Sequence, residues 1–161
     1  MNVSDILRRK PSSRIVTIRM NETVETAAKL LRKEGISALV VKDVCRTEGN
    51  VAVGMVTERD VVGAIARHGA AGLSVKVADL ISVQRLVSCR SSDSLDQVRA
   101  LMREHHIRHL PVIDEHGLIG VISLRDVGLA GLDLGEDHGD LAVPAAFAAG
   151  PPPEGLRAAL R

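Results

Sequence analysis

Residues 54–60 read Gly54-Met55-Val56-Thr57-Glu58-Arg59-Asp60, and the same pattern returns as Gly120-Val121-Ile122-Ser123-Leu124-Arg125-Asp126. In each copy an apolar strand-like run ends in Thr or Ser, an Asp follows three residues later, and an apolar helical run comes next. That is a strand-to-helix corner. The duplication extends well beyond the corner. Residues 16–43 overlay residues 87–114 without a gap, with Val16/Val87, Arg19/Arg90, Leu30/Leu101, Arg32/Arg103, Ile36/Ile107, Leu39/Leu110, Val41/Val112 and Asp43/Asp114 identical. After a shorter loop, Gly54/Gly120, Arg59/Arg125, Asp60/Asp126 and Val61/Val127 match. Upstream, Val3-Ser4-Asp5-Ile6-Leu7 is mirrored by Val77-Ala78-Asp79-Leu80-Ile81. A chain so written is a tandem repeat, and neither copy is large enough to bury both faces of a small sheet alone.

Within a copy, the pattern predicts strand, helix, strand, strand, helix. Pro11-Ser12-Ser13 separates a short helical turn from the β-branched run Ile15-Val16-Thr17-Ile18. Val24, Ala27, Ala28, Leu30 and Leu31 then recur at helical spacing after Thr23, with Gly35 placed as a C-cap. Residues 36–41 and 51–56 are unbroken apolar runs of strand length, joined by a polar loop over 43–50. A second helix is expected over 58–67, followed by a small-residue linker at 69–72. In the second copy Ser94 and Gln97 form a capping box, with Leu95, Val98, Leu101 and Met102 as the buried face. The expected fold class is α/β (α+β), two β-α-β-β-α repeats packed with pseudo-two-fold symmetry. The boundaries are residues 3–68, a linker over 69–76, residues 77–131, and a low-complexity tail over 132–161 with Pro151-Pro152-Pro153, expected to be disordered.

Composition removes several function classes. The 161 residues are 45% apolar and carry 21 basic against 20 acidic side chains, so no broad basic footprint for nucleic acid or anionic membrane exists. The basic run Arg8, Arg9, Lys10 is too short to alter that. With no Trp or Tyr and a single Phe, aromatic stacking platforms are missing, and any ligand must be held by aliphatic walls and backbone. No run reaches the about 18 apolar residues of a membrane span, and Cys45 and Cys89 lack a metal-site spacing; a reducing cytoplasm is expected. His105, His106 and His109 cluster in sequence, yet a helix ending near His106 and a strand beginning at His109 would spoil ligand geometry, so no metal is expected. No phosphate loop, dinucleotide fingerprint, nucleophile elbow or zinc-protease motif is present. The chain is therefore not expected to be an enzyme, and no catalytic cofactor is expected.

The repeat order, its length and the doubled G-x-x-[ST]-x-x-D corner resemble a tandem pair of cystathionine beta-synthase (CBS) domains, often called a Bateman module, over residues 3–131. Ile107-Arg108-His109-Leu110-Pro111-Val112-Ile113-Asp114 is similar to that family's approach to its middle strand. The resemblance implies a free-standing regulatory module that binds an adenosine-containing molecule such as AMP, ADP, ATP, S-adenosylmethionine or NAD(H). A homodimer, through helix faces holding Val61, Val62, Ile65, Val127 and Leu129, and an effector protein encoded elsewhere are the implied partners.

The residues themselves supply a chemistry for this. Thr57 and Ser123 stand at helix N-caps, where unpaired N–H groups and the helix dipole favour a phosphate. Asp60 and Asp126, ionised and acceptor-only, suit the two hydroxyls of a ribose. Arg59 and Arg125 would offset phosphate charge, and the Gly of each corner would let a ligand approach the backbone. The same Ser/Thr-x-x-Asp spacing is also a plain capping box that stabilises a helix by about 1 kcal/mol with no ligand. By resemblance, the main cleft joins Arg108, His109, Ser123, Arg125 and Asp126 to Val16, Ile36, Ser37 and Ala38. The second holds Thr57, Arg59, Asp60 and Val87. The alternative is a ligand-free dimerising scaffold whose corners only cap helices.

Overall fold

The computed structural model describes residues 1–10, 14–45, 49–81, 86–115 and 117–133, with the side chains of 44–50 and 131–133 outside the description. The expected disordered tail, apart from its first two residues, and the Cys45 thiol lie outside the described residues. By backbone contact the chain divides into two units, Met1–Val127 and Gly128–Arg161. The first unit holds the first repeat and the second as far as Val127.

In the first repeat, helix α1 (Val3–Arg9) precedes strand β1 (Thr17–Arg19), helix α2 (Val24–Glu34), strands β2 (Ala38–Cys45) and β3 (Gly49–Thr57), and helix α3 (Glu58–His68). A 3-10 turn over Gly69–Ser74 leads to helix α4 (Val77–Ile81), helix α5 (Leu95–Glu104), strands β4 (His109–Asp114) and β5 (Gly117–Ser123), and helix α6 (Leu124–Asp133). The mixed α+β repeat is the one the sequence predicts. Thr23 caps α2 through its side chain, and Gly35 ends it at φ 64, a left-handed conformation that costs glycine little. Ser94 and Gln97 complete their reciprocal box on α5.

Two expectations need correction. The polar stretch after Val41 is mostly hairpin strand, because β2 and β3 stay paired out to Cys45 opposite Gly49. An antiparallel ladder satisfies backbone groups whatever the side chains' polarity. The opening strand of the second repeat is reduced to a single bridge, Cys89 with Val112. Two substitutions in the hydrogen bonding explain why. In the first repeat β1 lies parallel to β2, and Val40 donates its N–H to the Val16 carbonyl at 3.2 Å. The equivalent of Val40 is Pro111, which has no N–H to give, so Val87 finds no ladder partner there. Beyond Cys89, the Arg90 and Ser91 amides donate to the carboxylates of Asp93 (2.8 Å) and Asp114 (3.0 Å) instead of to a strand.

The repeats exchange their entering helices. α1 lies against β5 of the second repeat, tied by Val3 N–H to Asp93 O (3.0 Å) and Ser4 N–H to Ser91 O (2.9 Å). α4 lies against β3 of the first, tied by Val77 N–H to Glu22 O and Ala78 N–H to Met20 O, both 2.9 Å. Glycine makes the close approach possible: a Cβ on Gly120 would stand 2.8 Å from Leu7 Cδ2, and one on Gly54 3.0 Å from Ile81 Cδ1. Both glycines of the repeated corner thus receive a side chain of the other repeat's helix, which corrects the expectation that they keep the backbone open to a ligand. Leu39, Val41 and Val56 in the first half, and Leu110, Val112 and Ile122 in the second, are fully buried. Each contributes roughly 1.5–3 kcal/mol of hydrophobic stabilisation.

The small-residue linker winds into the 3-10 turn and packs on α3. There a Cβ on Gly72 would meet the Ala64 carbonyl oxygen at 2.5 Å and its carbon at 2.7 Å, backbone atoms that cannot swing aside. Gly63, in the middle of α3, would meet only the Arg67 guanidinium at 3.6 Å. Gly72→Ala should therefore lower unfolding free energy by about 2 kcal/mol or more through overpacking, while Gly63→Ala should raise it by roughly 0.5–1 kcal/mol through helix propensity. Urea denaturation of the two variants checks the opposite signs.

Candidate functional site

At the first corner, β3 ends at Thr57 and α3 begins at Glu58. Asp60 Oδ2 accepts from the Thr57 amide and from Thr57 Oγ1, both at 2.8 Å. The Glu58 amide donates to the Ser37 carbonyl at 3.2 Å, and Ala38 sits opposite Thr57 in the sheet. Ser37 is exposed, Ala38 and Ile36 are half-buried, and Ile36 and Val16 both pack against the core of the first repeat. Ser37 and Ala38 are thus built directly onto the Asp60 corner, with no hydrogen bond or ion pair to Asp126 among the described residues.

The second corner repeats this geometry and adds a cation. Asp126 Oδ2 accepts from the Ser123 amide and Ser123 Oγ, both at 2.7 Å, while the Asp126 amide donates back to Ser123 Oγ at 3.2 Å. The Leu124 amide donates to the Arg108 carbonyl at 2.9 Å, and His109 lies opposite Ser123. Onto the same Asp126 Oδ2, Lys10 Nζ closes at 2.8 Å, and it also donates to the Val121 carbonyl at 2.8 Å. Lys10 is the C-cap residue of α1, 116 positions upstream of Asp126. The packing of α1 on β5 delivers it, and nothing in the local pattern of the corner signals it.

The helix mouths are less open than their spacing implies. At the second corner the Ser123, Leu124 and Asp126 amides are all engaged, and only that of Arg125 is without a partner among the described residues. An anion held here would depend on side-chain donors more than on backbone. Among the described residues the other carboxylate oxygen has no partner: at both Asp60 and Asp126 the hydrogen bonds fall on Oδ2.

Electrostatics join the parts. Half-burial lowers the His109 pKa below its ordinary 6.5 and the neighbouring Arg108 lowers it further; Lys10 acts in the same direction, Asp126 and Glu58 against it. The first residue of α3 therefore lies within electrostatic reach of the second corner. Burial would raise the Asp126 carboxyl, but the hydrogen bonds from Lys10 and Ser123 outweigh it and hold the group below the ordinary carboxylate value. Asp126 is ionised and His109 neutral near pH 7. Arg59, Arg108 and Arg125 are exposed, and Val16 and Val87 half-buried.

Other candidates are quieter. α5 ends at Glu104 with His105 as its C-cap, while His109 starts β4, the separation the sequence predicts. Among the described residues no three His, Cys, Asp or Glu side chains converge as a metal site. Cys89 is 2% exposed, and burial pushes its thiol up to about 12, which suits a core filler. Val61 (9% exposed) and Val127 (0%) belong to the core, so the expected interface keeps only Val62 at 65%, Ile65 at 42% and Leu129 at 53%. Among the described residues no helix is long and apolar enough to cross a membrane.

A doubled α+β repeat with paired Ser/Thr-x-x-Asp corners defines a tandem-repeat fold, and comparison with known proteins gives it a family. The CBS domain model matches residues 3–67 and 77–129. The chain belongs to the CBS domain family. It is 30% identical over 118 residues to the CBS domain-containing protein YhcV of Bacillus subtilis, covering 73% of this chain and 79% of that protein. It is 31% identical over 129 residues to the mitochondrial protein CBSX3 of Arabidopsis thaliana, covering 78% of this chain and 62% of that one. Among solved structures, a CBS-domain-containing protein of Agrobacterium tumefaciens superposes with TM-score 0.72 at 36% identity over 80% of this chain and 92% of that one. A protein with CBS domains from Burkholderia ambifaria gives TM-score 0.72 at 32% identity over 85% and 98%.

The two shifted groups separate on the pH axis. A histidine whose folded pKa is depressed contributes its full stability above about pH 6.5; as pH falls below that, the unfolded chain takes up the proton first and stability is lost. Asp126 contributes above the carboxylate's unfolded value of 3.8 and loses its contribution only below it. Urea unfolding at pH 7.5 and 5.5 should therefore show a loss that shrinks in His109→Gln. Equal losses in both proteins would place His109 in a water-like environment.

Proposed function

We propose that this chain is a regulatory module that binds adenosine-containing nucleotides, with the Asp126 corner as its main cleft and no catalysis of its own. One observation carries the reading: each corner's Asp spends Oδ2 on its own helix start, and its Oδ1 has no partner among the described residues. An ionised carboxylate only accepts hydrogen bonds, and a ribose diol offers two donors side by side. Arg108 and Arg125 are exposed cations on the second corner, within reach of solvent phosphate. A CBS domain pair of this fold, 23% identical with TM-score 0.66, is in complex with 5-methylthioadenosine and S-adenosyl-L-methionine. AMP, ADP, ATP and NAD(H) share the same adenosine ribose. The Asp60 corner, with Thr57, Arg59 and Val87, is the weaker second cleft; no cation pairs with Asp60 among the described residues.

A second reading has its own support. Both Asp side chains already cap their helices, and Val62 and Ile65 leave an apolar surface on α3. On that reading the chain is a ligand-free dimerising scaffold for an effector protein. A structure of hypoxic response protein I, 25% identical with TM-score 0.62, carries two coordinated zinc ions, a chemistry with no matching side-chain cluster among the described residues here.

Thermal melts with AMP, ADP, ATP, NADH and S-adenosylmethionine separate the readings. At a hundredfold excess over Kd a ligand stabilises by about 2.7 kcal/mol, several degrees in Tm. Asp126→Ala should abolish most of the calorimetric binding, and Asp60→Ala should reduce it less, with circular dichroism checking that both variants fold. Absence of any shift across the panel, with a dimer by sedimentation, favours the scaffold.

A further inference from the structure

Lys10 is a dedicated cation that arrives at the second corner from the far end of the repeat pair. Its stem is largely buried, the side chain being 24% exposed, and its helix is fixed by Leu7 seated on Gly120. An ammonium group has three N–H donors. Asp126 Oδ2 and the Val121 carbonyl take two of them, and the third has no partner among the described residues. We propose that Lys10 is the specificity-determining residue of the Asp126 cleft, selecting an adenosine ligand that carries a phosphate over one that is uncharged or cationic. This inference rests on the nucleotide-binding reading and names the ligand class within it.

Charge balance argues for it. The charged side chains that act on His109 are Lys10 and Arg108 against Asp126 and Glu58. Among these four the charges cancel; without Lys10 they keep one surplus negative charge, offset only by the exposed Arg125, which weakens the attraction for a phosphate and favours a sulfonium. The backbone supplies little compensation, since the Ser123, Leu124 and Asp126 amides are already spent. Of the other cations, Arg108 and Arg125 are exposed and screened by solvent, whereas Lys10 is held in place before any ligand arrives. Its contact with Asp126 falls on Oδ2, and Oδ1 has no partner among the described residues, so a ribose and a phosphate can be engaged together.

Calorimetry with adenosine, AMP and S-adenosylmethionine on the wild-type chain, Lys10→Met and Lys10→Arg provides the test. Wild type should bind AMP at least tenfold tighter than adenosine. Lys10→Met should lose about tenfold on AMP, stay within about twofold on adenosine and gain on S-adenosylmethionine, and Lys10→Arg should restore the AMP preference. Parallel losses on AMP and adenosine in Lys10→Met would make Lys10 a merely structural clamp. Tighter binding of all three probes would make it a plug over Asp126; either result overturns the proposal while leaving nucleotide binding intact. Failure of the wild-type chain to bind any of the three overturns the nucleotide reading itself, and this inference with it.

Discussion

The seating of each entering helix on the bare strand of the other repeat is the contact on which the rest depends. Leu7 fills the space over Gly120 and Ile81 the space over Gly54, and both are possible only because a strand residue without a side chain lies beneath. A small repeat alone leaves one sheet face uncovered. Exchange of α1 and α4 covers both at once, and it carries backbone hydrogen bonds as well as apolar contacts, so neither half can move away without unpairing amides. The exchange also explains why the motif glycines stand where they do, one strand-length before the corner's Asp.

From that contact follows the asymmetry of the two corners. Their local geometry is nearly the same, with Asp Oδ2 gathering the Ser or Thr amide and hydroxyl ahead of the helix. What differs is the cation brought by α1. A carboxylate that is half-buried would be driven toward its neutral form by desolvation, and Lys10 with Ser123 reverses that, keeping Asp126 charged. The same ammonium group helps keep His109 neutral. One side chain from a distant element thus acts on two groups at the corner, strongly on Asp126 and, behind burial and Arg108, more weakly on His109.

The regular part of this molecule was legible because its signals are local. Thr23 and Gly35 bracket α2, Ser94 and Gln97 start α5, and the apolar periods between them need only helix geometry to interpret. The errors share a different cause. Pro111 is plain in the sequence, but its effect falls on Val87, the residue whose carbonyl it cannot serve. A glycine in a strand announces a close neighbour without naming it, and here the neighbour is Leu7 or Ile81 where a ligand was expected. Val61 and Val127 share a helical face with exposed residues in any pattern-based view, and only packing decides which of them turns inward.

Lys10 is the furthest case of the same limit. In sequence it closes a short basic run whose charge disappears in a balanced total, and a sum over the chain says nothing about where one charge is held. Its position is fixed by burial of Leu7, by the Val121 carbonyl and by Asp126, three contacts that exist only once the repeats have exchanged helices. The chemistry of the corner is therefore a tertiary property. Two sequences with the same doubled motif but a different residue at the end of α1 would fold alike and present an Asp126 carboxylate of different charge and reach.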